Sequence, residues 1–419
     1  MVRVSASPPI VAAVAGARAG TVPAPPGPAR VTDRHHRQEQ PMSPSTPEQP
    51  AGRRTPLHAE HEVLGARFVD FAGWRMPVRY DSELAEHHAV RDAAGLFDLS
   101  HMGEIRVRGA EAGPALDHAV VGHASKIAVG RARYSLLCRP DGGVLDDLIV
   151  YRTAESEFLV VANAANADLV LAELRERAAG FAAEVVDDSA DTALIALQGP
   201  VAARVLAELT DADLDGLRYY ASVPARVAGR EVLLARTGYT GEDGFELFCP
   251  AGDAVPLWRA LLDAGRPHGV RPAGLGCRDS LRLEAGMALY GNELTVATNP
   301  YQANLGRVVK LDKPADFVGR AALAEIAERG VDTVLVGLTG TGRRAPRHGY
   351  PVLDPATGTE IGTVTSGAPS PTLGHPIAMA YVRRQYAAPG TKLAVDVRGR
   401  QEAVEVTELP FYRRQRQSP

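Results

Sequence analysis

The chain has 419 residues, of which 45% are hydrophobic, and a formal net charge of −4. It is long enough for two or three cores, but no run of about twenty apolar residues offers a membrane span. The first 54 residues carry seven Arg and three acids, so the remainder is acidic, with 39 basic and 47 acidic residues, which argues against nucleic acid as the partner.

Residues 1–53 are predicted to form a disordered extension. Ten of the 31 prolines fall within the first fifty residues, in an Ala/Pro/Arg-rich run without hydrophobic periodicity. Met42 is a second plausible start. The extension is therefore either an over-extended reading frame or an Arg-rich organelle transit peptide whose amphipathic helix the prolines would disrupt. We expect a bacterial cytoplasmic protein, with the mitochondrial matrix as the alternative location.

Deletion of residues 1–41 is expected to leave activity and melting temperature nearly unchanged. The segment has too little apolar periodicity to pack against a core. Activity and thermal unfolding of the truncated and full-length chains, measured side by side, check this. A clear loss of either property would show that the extension is part of the fold.

From Thr55 onward the pattern becomes globular. Helices are predicted over residues 82–94, 168–178, 201–209, 255–262 and 278–284, and strands over residues 104–108, 145–151, 158–163, 193–197 and 231–236. Their irregular alternation favours α+β sheets over a doubly wound fold. From about Thr333 to Tyr412, strands alternate with Gly/Pro turns, which favours a separate β-barrel.

The stretch PDGGVLDDLIVY, residues 140–151, sets two adjacent acids in an apolar strand. Because side chains alternate on a strand, Asp146 and Asp147 point to opposite faces, which excludes a shared metal ion or an acid–base dyad. The predicted faces are Val144, Asp146, Leu148 and Val150 on one side and Leu145, Asp147, Ile149 and Tyr151 on the other. An ion pair with an Arg at the sheet rim is the ordinary alternative, whereas an unpaired buried acid indicates function.

Two further stretches have the character of a site. RTGYTGEDGFELFC, residues 236–249, is a glycine-rich loop before a strand, but it lacks the Lys-Ser/Thr ending of a phosphate loop. Glu246 on that strand could accept paired N–H donors from a flat heterocycle. PAGLGCRDSLRLEAGMALYG, residues 272–291, places Arg278 and Arg282 on one helical face, which alone indicates a surface helix with exposed ion pairs.

Histidine and cysteine spacings give no metal or nucleophile pattern. HAEH at residues 58–61 lacks the spacing of a zinc helix, His87 and His88 are expected on a helix surface, and His101 lies in a connector. No metal is therefore expected. Three widely spaced cysteines suit a reducing compartment and are expected to be buried: Cys138, Cys249 and Cys277.

Eight motifs, in this order along the chain, resemble the aminomethyltransferase (T protein) family of the glycine cleavage system. They are RTPLH, DFAGWRMP, FDLSHMGE, GGVLDDLIVY, QGP, RTGYTGEDGFEL, GLGCRDSLRLEAGMALYG and TSGAPSPTLG. The resemblance implies an α+β fold with antiparallel sheets: a three-domain cloverleaf around a central pocket. Two interleaved α+β domains would occupy residues 54–330 and a β-barrel residues 331–419.

The resemblance also implies a reaction. The one-carbon unit on the aminomethyl-lipoyl arm of H protein passes to tetrahydrofolate, the cosubstrate, and gives methylenetetrahydrofolate, ammonia and dihydrolipoyl H protein. Expected partners are lipoylated H protein, bound transiently, and the other glycine cleavage components, with no nucleic acid and no membrane.

The resemblance implies roles for individual residues. Asp147 matches the catalytic acid, and Asp146 would be structural, pairing with an Arg. The positions matching the folate pocket are Met102, Tyr134, Ile149, Tyr151, Asn163, Tyr239, Glu246 and Arg278. Glu246 suits the paired donors of a pterin, and Arg278 suits its carbonyl or a carboxylate. The family usually has Ala in place of Cys277, and the C-terminal arginines receive no role.

Two alternatives stay open. The same pocket serves other folate-dependent demethylases and the folate-binding part of amine oxidoreductases, although no flavin domain is visible in this sequence. A non-catalytic folate-binding iron–sulfur assembly factor of the same fold would carry a Cys-Tyr-x-Gly-Gln type motif, where this chain has RTGYTGEDG.

Overall fold

The computed structural model describes residues 52–414; the predicted disordered extension, up to residue 51, lies outside them. The helices are α1 His58–Val63, α2 Glu83–Asp92, α3 Ala112–Ala119, α4 Ala167–Ala178, α5 Ala202–Ala207, α6 Ala254–Gly265, α7 Leu275–Glu284 and α8 Arg320–Arg329. The strands before the last helix are β1 Arg67–Phe71, β2 Trp74–Arg79, β3 Gly95–Asp98, β4 Gly103–Arg108, β5 Arg131–Cys138, β6 Val144–Ala154, β7 Glu157–Ala162, β8 Glu184–Asp187, β9 Thr192–Gln198, β10 Ser222–Val227, β11 Arg230–Ala235, β12 Gly244–Pro250 and β13 Arg271–Pro272. The strands after it are β14 Thr333–Gly340, β15 Pro351–Leu353, β16 Glu360–Pro369, β17 Pro376–Arg383, β18 Lys392–Asp396 and β19 Gln401–Thr407.

Two sheets interleave along the chain. One has five antiparallel strands in the order β5-β6-β7-β4-β8, and the other has six strands in the order β10-β11-β12-β9-β3-β13. Strand β3 belongs to the second sheet, but it comes before all the strands of the first sheet, β4 to β8. The other strands of the second sheet, β9 to β13, follow them in the sequence. The β3/β13 pair is parallel, unlike the antiparallel pairs of the rest of that sheet. Strands β1 and β2 form a separate hairpin, which the sequence did not predict.

The C-terminal strands close into a barrel of six, in the order β14-β17-β16-β15-β18-β19. Alternate small and branched apolar residues fill its interior, among them Val336, Leu338, Val364 and Val395. Closure removes the free edges that an open sheet would expose. The predicted α+β class with antiparallel sheets and a C-terminal β-barrel is therefore confirmed. No helix in the described range has both the length and the apolar character needed to cross a membrane.

Strand β6, which carries the two acids, contains a β-bulge. Asp146 pairs with Leu137 and Val144 pairs with Cys138, so Leu145 has no partner on β5. A bulge adds one unpaired residue to a strand, so the residues on its two sides no longer follow one continuous alternation of faces. Leu145 accordingly packs in one core with Leu148 and Val150, on the side of Asp146. Its predicted place beside Asp147 was wrong, and so was the place of Val144 beside Leu148, since Val144 packs in a different core. Strict alternation holds from Asp146 onward.

Helices α2 and α7 are joined to the barrel through a buried carboxylate, Glu284. It accepts hydrogen bonds from Arg91 Nη2 at 2.7 Å and from Thr372 Oγ1 at 2.7 Å, and His87 Nε2 lies 3.2 Å away. Burial raises the pKa of Glu284, but the bonds from His87, Ser370 and Arg91 outweigh it and hold the pKa at about 2. The network joins helices to a barrel loop nearly 90 residues further along the chain.

His87 was predicted on a helix surface, and that prediction was wrong. Its side chain is fully buried, with Nδ1 2.7 Å from Ser280 Oγ and Nε2 2.9 Å from Thr372 Oγ1. Helix α2 begins as predicted, since the Ser82 side chain accepts from the Ala85 N–H at 3.0 Å. The helix was predicted correctly, but the burial of the face that carries His87 was not. The barrel loop that covers this face is distant in sequence, so local pattern does not reveal it.

Candidate active site

A cavity of about 1140 Å³ lies where the two sheets, helix α7 and the barrel meet. This volume is slightly above the range of about 300–1,000 Å³ that is common for ligand sites, so the cavity has room for an organic ligand. The nine residues singled out from the sequence all line it: Met102, Tyr134, Asp147, Ile149, Tyr151, Asn163, Tyr239, Glu246 and Arg278. The structure therefore brings together residues that lie up to 176 positions apart in the sequence.

Asp147 presents a positioned carboxylate to this cavity. Tyr134 donates its hydroxyl proton to Asp147 Oδ2 at 3.1 Å, and Asn163 Nδ2 donates to Asp147 Oδ1 at 2.8 Å. Burial raises the pKa of Asp147 to about 6, although the two donors act in the opposite direction. An acid with such a pKa can change protonation state near neutral pH, as a general base or acid requires.

Asp146 lies on the opposite face of β6 and is fully buried. It accepts from the Asn163 backbone N–H at 3.0 Å, from Asn163 Nδ2 at 2.9 Å and from Asn166 Nδ2 at 2.7 Å. The predicted pairing with an Arg was wrong, because two asparagines of the turn between β7 and α4 occupy the place of a cation. Burial and the nearby charge of Asp147 raise the pKa of Asp146 to about 7.

Glu246, on β12, supplies a second carboxylate within hydrogen-bond reach of Tyr151 on β6. Tyr151 donates to Glu246 Oε2 at 3.2 Å, and Thr237 Oγ1 donates to the same oxygen. No hydrogen bond to the other oxygen, Oε1, is recorded among residues 52–414. Glu246 is therefore held from one side and leaves an acceptor for a ligand N–H on the other.

Arg278 brings a cation to the same cavity. Its guanidinium carbon lies 4.7 Å from the centre of the Tyr239 ring, which stacks against it. Burial lowers the pKa of Arg278. Within the described part of the chain, the guanidinium has no recorded ion pair. Because burying an uncompensated cation is costly, Arg278 is suited to a carbonyl or an anionic group of a ligand.

The pattern of helix α7, taken alone, indicated a surface helix with Arg282 in exposed pairs, and that indication was wrong. Arg282 is 1% exposed and binds Glu293 Oε2 at 2.9 Å and Ser366 Oγ at 2.8 Å. Glu293 follows the helix and Ser366 belongs to barrel strand β16, so both covering groups come from later in the chain. Arg282 also lines the cavity.

The glycine-rich loop before β12 is shaped by close packing. A Cβ on Gly238 would lie 1.9 Å from Gln198 Oε1, and a Cβ on Gly244 would lie 2.6 Å from Gln198 Nε2. Gln198 Nε2 in turn donates to the Thr237 carbonyl at 3.0 Å. The glycines therefore allow a buried amide to brace the loop that presents Tyr239, and a phosphate-binding role is not needed to explain them.

Sequence reasoning missed part of the cavity wall. His101 lines it with Nδ1 buried and without a recorded partner in the described structure, and burial lowers its pKa to about 4. Barrel residues 334–337 and 407–409 form another wall. His101 could have been predicted, because it lies in the FDLSHMGE motif beside Met102. The apolar sequence of the barrel strands gives no indication that they line a cavity. No group of three or more potential metal-ligating side chains occurs among residues 52–414.

Comparison with known proteins identifies the family. Residues 57–313 match the GCVT N-terminal domain, and residues 334–413 match the glycine cleavage T-protein C-terminal barrel domain. The chain belongs to the glycine cleavage T-protein family. Its membership makes it a transferase of the aminomethyltransferase type, so the cavity is the candidate active site of such an enzyme.

Individual relatives agree with this assignment along almost their whole length. The aminomethyltransferase of Saccharopolyspora erythraea is 65% identical over 362 residues, which cover 86% of this chain and 98% of the relative. That of Streptomyces coelicolor is 62% identical over 368 residues, 87% of this chain and 98% of the relative. The crystal structure of glycine cleavage system aminomethyltransferase T from Bartonella henselae superposes with a TM-score of 0.81 at 41% identity, covering 86% and 98% of the two chains.

Proposed function

We propose that this chain transfers the one-carbon unit from the aminomethyl-lipoyl arm of H protein to tetrahydrofolate, releasing ammonia and forming methylenetetrahydrofolate. The observation that carries the proposal is the convergence of Asp147, Glu246 and Arg278 on one cavity. Membership of the T-protein family supports the same reaction. H protein and the other glycine cleavage components are the proposed partners, and the bacterial cytoplasm is the proposed location.

The polar groups of the cavity match the chemistry of a folate. Glu246 Oε1 can accept the N–H donors of the pterin ring, while Arg278 can donate to its carbonyl or to a carboxylate. The ring of Tyr239 and the side chains of Met102 and Ile149 supply apolar wall around these groups. A flat heterocycle with donors on one edge and an acceptor nearby would satisfy both buried charges.

Asp147 can manage the proton of the reacting folate nitrogen. Held by Tyr134 and Asn163, its carboxylate orients that nitrogen and accepts its proton while the nitrogen attacks the methylene carbon. The proton passes to the leaving amine, which departs as ammonia. The second folate nitrogen then displaces the lipoyl thiolate, which closes the methylene bridge and gives dihydrolipoyl H protein. The bonds to Tyr134 and Asn163 fix the carboxylate, which reduces the reorganisation needed during the reaction.

The deciding experiment measures ammonia release from aminomethylated H protein with and without tetrahydrofolate. We expect rapid, folate-dependent release and formation of methylenetetrahydrofolate. The competing demethylase function predicts turnover of a free methylated amine instead. A folate-binding assembly factor would bind folate without turnover of either substrate, so binding and turnover measured together separate the three.

The rate of ammonia release is expected to rise with pH through about 6, since only the ionised Asp147 accepts a proton. Tyr134→Phe removes a donor that favours the ionised form, so the pKa of Asp147 increases and the acid limb of the profile moves to higher pH. Single-turnover rates across the pH range check this. Tyr386→Phe, in the barrel, is the matched control and leaves the limb in place. An unchanged or lower limb in Tyr134→Phe would contradict the assignment.

A further inference from the structure

Each hydrogen bond to the side chain of Asp146 within residues 52–414 comes from an N–H donor. Asp146 Oδ1 receives Asn163 Nδ2 at 2.9 Å and Asn166 Nδ2 at 2.7 Å, while Oδ2 receives the Asn163 backbone N–H at 3.0 Å. A carboxylate can accept at both oxygens, whereas an amide of the same shape must place a donor at one of them. The geometry therefore requires an acid at this position.

These contacts fix the orientation of the Asn163 amide. Its Nδ2 group faces Asp146 Oδ1 at 2.9 Å, Asp147 Oδ1 at 2.8 Å and the Asp147 carbonyl at 3.2 Å, all of them acceptors. Turning the amide over would bring its oxygen against two carboxylates, which is repulsive. The amide oxygen must then point away from both acids. No protein donor to it is recorded among the described residues, and Asn163 lines the cavity.

We infer that Asp146 is a positioning residue: it holds Asn163 so that the amide oxygen accepts a hydrogen bond from the amino group that leaves as ammonia. This inference rests on the proposed function. The amino group is the multiple N–H donor of the reaction, and Asn163 Oδ1 offers a neutral acceptor on an amide whose Nδ2 is bonded to Asp147. The two adjacent acids thus have separate tasks, one facing the reacting atoms and one acting through Asn163.

Asn163→Leu removes the acceptor together with the donor to Asp147, so its rate is compared with that of wild type well above pH 6, where Asp147 is ionised. Asp146→Asn tests the residue that positions the acceptor. Each is expected to reduce single-turnover ammonia release about 10- to 100-fold, the value of one hydrogen bond to a charged group, with the Kd for tetrahydrofolate unchanged. Asp141→Asn is the control for Asp146→Asn, because it makes the same change on an exposed turn of the same segment. Wild-type release in the same assay tests the proposed function separately.

The double variant distinguishes positioning from general stability. If Asp146 acts through Asn163, Asp146→Asn causes no further loss of rate in the Asn163→Leu background. Asn166→Ala, which removes one donor from the same oxygen of Asp146, serves the same comparison if Asp146→Asn does not fold. Equal losses in both backgrounds would overturn the inference. So would an Asn163→Leu rate within twofold of wild type, or a loss confined to folate affinity.

Discussion

Asp147→Asn is expected to lower single-turnover ammonia release by about 100-fold or more, the usual contribution of a positioned acid–base group. The substituted amide keeps the shape of the side chain and can still accept from Tyr134, but it loses the bond from Asn163. One lost hydrogen bond costs about 1 kcal/mol, so the fold and folate affinity are expected to persist. Ammonia release, folate binding and thermal unfolding are measured on the same preparation. The acid limb near pH 6 should disappear together with the rate.

Asp141→Asn provides the matched control for this variant as well. Asp141 is exposed in the turn before β6 and pairs with Arg139 at 3.0 Å, which contributes little to stability. We expect wild-type rates from it. If Asp147→Asn retained more than a tenth of the wild-type rate, the role of Asp147 in proton transfer would have to be abandoned.

Glu284→Gln is expected to produce the largest loss of stability, about 3 kcal/mol of the free energy of unfolding, because it removes one member of a buried ion pair. Arg91 would keep Glu242 as its remaining partner, but its Nη2 group and the Thr372 hydroxyl would lose their charged acceptor in the interior. Urea unfolding of both proteins gives the difference. Glu325→Gln is the control, since its pair with Arg329 is exposed and is expected to change stability by about 0.5 kcal/mol or less.

The same carboxylate predicts how stability depends on pH. The folded pKa of Glu284, about 2, lies below its ordinary value of 4.5. Its contribution is therefore fully present above about pH 4.5 and is lost as the pH falls toward 2. Glu284→Gln should abolish this part of the acid sensitivity. Equal acid unfolding of the variant and wild type, or equal effects of Glu284→Gln and Glu325→Gln, would contradict the prediction.

Local patterns were sufficient for much of the fold. Alternation placed Asp146 and Asp147 on opposite faces of β6, and the helix predicted over residues 82–94 begins at the Ser82 cap of α2. Both depend on residues within a few positions of one another. The bulge at Leu145 escaped prediction because it is defined by pairing with β5, which local periodicity does not show.

Contacts between distant segments account for the remaining errors. His87 was expected at the surface, and the pattern around Arg282 alone indicated the same, yet barrel residues Thr372 and Ser366 cover them. Asp146 was expected to find an Arg, but the return of the chain after β7 brings two asparagine amides to it. Periodicity indicates that a face is polar. Only the tertiary arrangement determines which groups form hydrogen bonds with its polar side chains.

The bulge at Leu145 bears on how this segment tolerates changes in length over evolution. Register in a paired strand is discrete, so gain or loss of one residue ordinarily exchanges the two faces and would present Asp146 to the cavity in place of Asp147. Leu145 is unpaired, so it can be lost, or joined by a neighbour, without shifting the pairing of Leu136 with Asp147. An insertion or deletion in the turn at residues 139–143 can thus be accommodated at the bulge, which precedes the acids. The side chain of Asp147 then still faces the cavity.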